Sequence, residues 1–393
     1  MMKRIFFTIV ALTACLYLSA QGVFEGQDCH NLRSGDVVEK QQIGYKEAGR
    51  SGENVLWNIG DIEVMKDQYE VEYASVPDND SIIAGTEHGT RYYYGNEEGQ
   101  LQLRGYENHT TKVVYNMPET ILQLPLTYGE KVNGCFHGVA AYSERVAMRL
   151  YGTYEVETDA TGMMILPEGD TLQHVKRVHS KRITAKERLG NIPIKTTLQR
   201  VLSPSATFTT DSIIAKMQGD STLLEVNTYR WYAEGYRYPI YETVTTGLVG
   251  KEPQYTTAYY CPPDNQDVLA DEENRVVRNL LAEKSRFLSG WDKKAIDSNH
   301  IGENTMSKQN LQFNYNVNLH NNETLSVDYF NASTAEISCG VYTVNGMVLT
   351  EQQETVLGGA HSCSFDLSQY PQGVYLVRLL VNEQSYTEKI AKK

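Results

Sequence analysis

The 393-residue sequence is poor in several things, and each shortage excludes a class of protein. Its six cysteines are widely spaced and none forms a Cys-x-x-Cys pair, so zinc-ribbon and dithiol redox readings fall away. Basic residues are outnumbered, 36 to 49, for a net charge of −13, which lacks the basic stripe that phosphate neutralisation requires and argues against nucleic acid. Gly-x-Ser-x-Gly, His-Glu-x-x-His, the phosphate-binding Gly-x-x-x-x-Gly-Lys-Ser/Thr loop and the dinucleotide Gly-x-Gly-x-x-Gly are all missing. No catalytic residue, metal ligand or cofactor is therefore assigned. Phenylalanine is scarce beside tyrosine, 9 against 27, which is unusual for an ordinary core.

One apolar run stands out. Met1-Met2-Lys3-Arg4 precedes Ile5–Leu18, and Ser19-Ala20-Gln21 follows. A charged start, an apolar centre and small residues before a polar segment form an export signal, with cleavage expected between Ala20 and Gln21. The run is short for a membrane anchor, and no other run in the chain approaches a span. Leu12-Thr13-Ala14-Cys15 offers the alternative of a lipid-anchored envelope protein. Export implies an oxidising compartment, where five cysteines remain once the leader is removed.

Most of the mature chain alternates in steps of two. Tyr69, Val71 and Tyr73 interleave with Glu70 and Glu72, the pattern of a half-buried strand. Tyr92 and Tyr94 lead through Asn96-Glu97-Glu98-Gly99 to Leu101 and Leu103, which predicts a hairpin with a four-residue turn. Strands this frequent, without helical periods between them, predict a mostly β protein whose N-terminal domain is an antiparallel sandwich or barrel-like sheet. Residues 180–220 are mixed and polar and read as an insertion. Leu269, Val276, Val277, Leu280, Leu281, Phe287 and Leu288 fall at helical spacing behind Asp271-Glu272-Glu273, which predicts a helix over Asp271–Leu288 packed on the first domain. The expected organisation is a signal (1–20), a β-rich domain (21–262), a short helical connector (263–309) and a C-terminal β domain (310–393).

That last segment has seven strand-like runs, with a two-residue turn signal at Asn345-Gly346. It carries Val341-Tyr342-Thr343-Val344-Asn345-Gly346, Phe365-Asp366-Leu367-Ser368, Gln372-Gly373-Val374-Tyr375-Leu376-Val377-Arg378 and Thr387-Glu388-Lys389-Ile390-Ala391-Lys392-Lys393. These resemble the C-terminal sorting domain of type IX secretion. Met347 departs from the pattern, since many members have Lys or Arg there. The resemblance implies an Ig-like sandwich, passage across the outer membrane and the type IX secretion machinery as a partner. The first domain is similar to a group of uncharacterised secreted β-rich proteins of Bacteroidetes type. The resemblance rests on Leu32-Arg33-Ser34-Gly35-Asp36, Glu39-Lys40-Gln41-Gln42, Gly85-Thr86-Glu87-His88, Leu166–Thr171 and Tyr229–Pro239. It carries no activity and no functional residue with it.

Within the first domain the densest chemistry is aromatic. Tyr229, Trp231, Tyr232, Tyr236 and Tyr238 crowd together with Arg230 and Arg237, and such rings stack on sugar faces. Tyr229 and Trp231 share one strand face, Arg230 and Tyr232 the other. The competing reading is that Trp231 fills a core and the tyrosines line sheet edges. Cys135 and His137 fall two apart, a spacing that suits buried strand residues better than a nucleophilic pair. Asp-Ser/Thr triplets at Ser81, Thr171, Ser212 and Ser221 resemble an O-glycosylation signal of exported proteins in the same bacteria. Cys339 and Cys363 both face inward in the C-terminal domain, either as a pair or as two small buried hydrophobes. The expected function is non-enzymatic binding of a glycan or surface protein. The alternative is a secreted hydrolase acting on glycan or protein, with a site assembled from distant residues.

Overall fold

The computed structural model describes residues 30–143, 145–190, 208–282, 313–382 and 384–393. The leader with Ala20 and Gln21, Cys29, residues 191–207 and residues 283–312 lie outside the described residues.

Strands are numbered in chain order. The first eight are β1 (Val37–Ile43), β2 (Gly52–Asn58), β3 (Val64–Val76), β4 (Asn79–Glu87), β5 (Thr90–Glu97), β6 (Gln100–Glu107), β7 (Thr111–Gln123) and β8 (Lys131–Tyr142). The 20-residue strands β9 (Val146–Ile165) and β10 (Thr171–Gly190) come next. Helix α1 (Thr210–Met217), β11 (Leu224–Ala233), β12 (Tyr241–Leu248) and β13 (Tyr255–Tyr260) complete the first domain, and helix α2 (Pro263–Asp267) and a helical stretch α3 over 272–282 follow.

Apart from β2, the strands of this domain form one ring. The order runs β10-β11-β12-β13-β1-β3-β4-β5-β6-β7-β8-β9, each pair antiparallel, and β9 pairs back onto β10 from Thr171↔Ile165 to Gly190↔Ala147. Twelve strands thus close into a barrel with no free edge along the ring. The β5–β6 hairpin is tighter than expected. Glu97 pairs with Gln100, leaving only Glu98 (φ 52°) and Gly99 (φ 79°) in the turn, because both residues adopt the left-handed backbone that a two-residue hairpin needs. Residues 180–190, expected to open an insertion, instead continue β10. Their charges are matched on other strands, Lys181 Nζ with Glu225 of adjacent β11 at 3.0 Å and Arg182 Nε with Glu119 of β7 at 2.7 Å.

Alternation sorts the barrel's two faces. Tyr73, Tyr94, Leu103, Arg182, Arg230 and Glu242 point inward, while Trp231, Tyr241 and Tyr260 point outward. The outward apolar patch is covered by β2 and its flanking loop, where Val55, Trp57 and Ile59 pack on Trp231, Ile240 and Met164. Arg177 fixes this cover. It is 1% exposed, its Nε and Nη2 donate to Asp159 at 2.8 and 2.7 Å, and its Nη1 donates to the Ala48 carbonyl. Parallel β2 reaches β9 at Gly162, where an added Cβ would stand 1.8 Å from the Val55 carbonyl oxygen, so only glycine allows this approach. A second patch is covered by α1, whose Ile213 packs on Tyr151 and Ala185.

The C-terminal domain has β14 (Phe313–His320), β15 (Thr324–Asn331), β16 (Ala335–Thr343), β17 (Val348–Val356), β18 (Gly359–Asp366), β19 (Gly373–Val381) and β20 (Gln384–Lys392). Each strand falls where the alternation predicts one. β14-β15-β18 and β17-β16-β19-β20 are two layers around one core containing Leu325, Val327, Tyr329, Val341, Val377 and Leu379. The first layer joins the barrel's sheet through a parallel contact of β14 with β2 at Tyr315↔Val55. Arg50 secures it, with Nε donating to the Tyr315 carbonyl at 3.0 Å and the guanidinium 3.9 Å from the Tyr315 ring centroid.

Candidate functional site inside the barrel

Inward-facing residues do not fill the barrel. Leu101, Leu122, Leu124, Val156 and Val178 pack one part of the interior, and Leu103, Val113, Tyr115, Phe136 and Leu150 pack another. A cavity of about 410 Å³ remains, within the size range of small-molecule sites. Its wall carries Tyr73, Tyr92, Tyr94, Tyr232, Tyr238 and Tyr259 together with Lys40, Glu87, Glu119, Arg182, Arg230 and Glu242.

Charges withdrawn from bulk water need partners, and these are paired. Lys40 Nζ lies 3.1 Å from Glu87, whose same oxygen accepts from Tyr69 OH at 2.6 Å. Arg230 Nε donates to Glu242 at 2.5 Å. Arg182 meets Glu119 and donates to Tyr115 OH at 2.7 Å. The two glutamates at the ends of this charge set are pushed in opposite directions. Burial raises the Glu119 carboxyl in spite of Arg182. Burial also opposes charge on Glu242, but Arg230 and Lys40 outweigh it and hold that carboxyl below the usual range. Burial lifts the Tyr232 hydroxyl to about 12, so it stays protonated and able to donate. Tyr73 and Tyr238 stack with centroids 4.9 Å apart and planes 15° from parallel.

One mouth is closed by chain outside the ring. Arg237 makes a bidentate pair with buried Asp271, at 2.7 and 2.9 Å, and donates to the Asn31 carbonyl. Arg33 pairs with Asp36, and Tyr238 OH donates to the same Asp36 at 2.8 Å. His30 stands edge-on to Tyr232, and burial with Lys176 nearby lowers its pKa to about 4. The expected helix begins here, and its described part packs on the barrel through Arg278, which donates to the Gly235 carbonyl at 2.5 Å. Its continuation to Leu288 lies outside the described residues.

The aromatic cluster is divided by the barrel wall. Tyr232 and Tyr238 line the cavity. Trp231 is fully buried outside it, beneath β2, with half-buried Tyr229 beside it stacked on His179 at 4.2 Å. Tyr236 is half-buried under Arg278. Sequence reasoning missed Tyr73, Tyr94, Arg182, Glu119 and Glu242, which come from five separate strands. The available signal was charge at inward positions of otherwise apolar alternations.

Cys135 and His137 lie on the outer face under the α1 cover. Burial raises the Cys135 thiol and lowers His137 to about 4, so neither is tuned for nucleophilic chemistry. Ser81, Thr171 and Ser221 are exposed, whereas Ser212 is half-buried in α1 with its hydroxyl donating to the Thr209 carbonyl.

Residues 306–393 match the family model of the secretion system C-terminal sorting domain. The sorting domain is therefore the two-layer unit that begins at β14, and the chain is an exported protein. No curated protein matches the chain. Among the described residues no helix is long and apolar enough to cross a membrane.

Arg230→Met leaves the half-buried Glu242 without its arginine and is expected to cost about 1–3 kcal/mol in urea unfolding, while Arg230→Met with Glu242→Leu recovers most of it. A double variant no better than the single would contradict the pairing. In acid, His30 and His137 hold depressed pKa values, so the unfolded chain takes up their protons first. Stability is complete above about pH 6.5 and declines as pH falls towards 4. Asp271, lowered to about 2 by Arg237 and Asn274 against burial, contributes stability above its unfolded value near 3.8 that is lost as pH falls through 2. Asp271→Asn should flatten only this second, lower window in urea midpoints measured across pH.

Proposed function

We propose that this protein is an exported, non-enzymatic binding protein whose barrel holds a small glycan inside its tyrosine-lined cavity. The observation that carries the reading is the enclosed wall of six tyrosines with paired charges between them. Tyrosine rings offer flat apolar faces for stacking on sugars, and their hydroxyls with the Arg and Glu groups answer sugar hydroxyls. Outward faces carry Glu70, Glu72, Lys131, Glu155, Glu157 and Lys181, charges that suit a barrel standing in water rather than one with an apolar lipid-facing band. The sorting domain supports delivery through the type IX machinery to the outer surface or the medium. The leader, the division at 262 and 309, an Ig-like relationship of the sandwich and glycosylation at exposed Ser81, Thr171 and Ser221 belong to the same reading.

A second reading has one observation in its favour. Glu119 and Glu242 line one cavity with pKa values displaced in opposite directions, the arrangement an acid and base pair needs. Each is engaged by an arginine, which blunts both roles and favours binding.

Glycan-array binding followed by calorimetry on the mature chain separates the two. Tyr94→Leu and Tyr232→Leu are each expected to weaken binding roughly 3- to 10-fold, and Trp231→Phe to leave it unchanged. Release of reducing ends that disappears in Glu119→Gln would instead establish the hydrolase. Removal of residues 306–393 should retain the protein within the envelope of a host with type IX secretion, as read by surface proteolysis; unchanged surface delivery would refute sorting by this tail.

A further inference from the structure

We propose that Cys339 and Cys363 form an inter-sheet disulfide after export, a covalent staple through the core of the sorting domain. The two residues sit on opposite layers. Cys339 lies on β16, which β17 and β19 flank, and Cys363 lies on β18, the last strand of the other layer. Both belong to one apolar core, where Cys339 is 3% exposed and Cys363 packs against it half-buried. Cys363 stands opposite fully buried Val327 in the β15–β18 ladder, so its side chain enters from one layer the same core that Cys339 enters from the other. Two thiols brought together across a packed interior are already ordered for bonding, so oxidation asks for little further loss of freedom.

Accessibility sets the order of events. Cys363 is the more accessible of the two, on an edge strand. Its thiolate attacks a sulfur of an external disulfide oxidant, such as oxidised glutathione or an oxidoreductase of the envelope, and the first oxidant thiol leaves. Cys339 then loses its proton and attacks the Cys363 sulfur of the mixed disulfide. The second oxidant thiol leaves, and the Cys339–Cys363 bond forms. The oxidant's disulfide takes up two electrons, and the two thiol hydrogens end on its two released thiols.

Competing pairs are absent among the described residues. Cys135 packs under α1 and Cys261 packs with Val38 and Tyr238, in separate clusters, and burial pushes both thiols up, Cys261 to about 12.

The test uses the full mature chain, exported to an oxidising compartment, then denatured and alkylated before digestion. The expected product is a Cys339–Cys363 cross-linked peptide pair that disappears on reduction. Reductant should lower the sorting domain's thermal midpoint by roughly 10 °C, and Cys363→Ser should abolish both the cross-link and that sensitivity. A Cys135→Ala/Cys261→Ala variant should keep both. Full alkylation of Cys339 and Cys363, before and after incubation with oxidised glutathione, would overturn the proposal. So would either cysteine cross-linked to a different partner.

Discussion

The pairing of β9 with β10 is the constraint on which the rest of the structure depends. Without it, twelve strands would make an open sheet with two long edges and two solvated faces. With it, the ring has an inside, and every inward side chain must either pack or find a partner away from bulk water. The unusual 20-residue length of both strands follows from this role. They pair along almost their whole length, and the last part of β9 also carries β2 and its covering loop.

Enclosure explains why charges survive at inward positions. Lys40, Arg182 and Arg230 face Glu87, Glu119 and Glu242, so the wall is close to neutral while remaining polar. A purely apolar filling would pack more tightly and leave no space; the retained charges and tyrosines leave a cavity that a polar, ring-shaped ligand can occupy. On the outside, the same alternation produces apolar patches that a barrel in water must cover. Arg177 and the β2 loop serve one patch, α1 another, and the sorting domain continues outward from β2.

Local patterns were legible where the physics is local. Glu70 and Glu72 against Tyr69, Val71 and Tyr73 gave a strand, and the seven strands of the sorting domain fell where alternation and turns put them. The β5–β6 turn was legible in place but not in length, since glycine marks a turn and says little about whether Glu98 also turns left-handed. Residues 180–190 looked like a polar insertion because their charges have no partners within the segment; the partners, Glu225 and Glu119, arrive from β11 and β7.

By itself the sequence determined an exported, acidic, β-rich chain with a sorting tail, because hydropathy, period-two alternation and short motifs are written in consecutive residues. It also determined that Trp231 and Tyr232 face opposite ways, since successive strand side chains do. Only the tertiary structure decided which of those two faces lines a cavity and which lies under a cover. That choice depends on which way the sheet curves when β9 meets β10, a contact whose consequences no local segment contains. The same holds for Cys339 and Cys363: alternation turned both inward, and the stacking of two layers put them into one core from opposite sides.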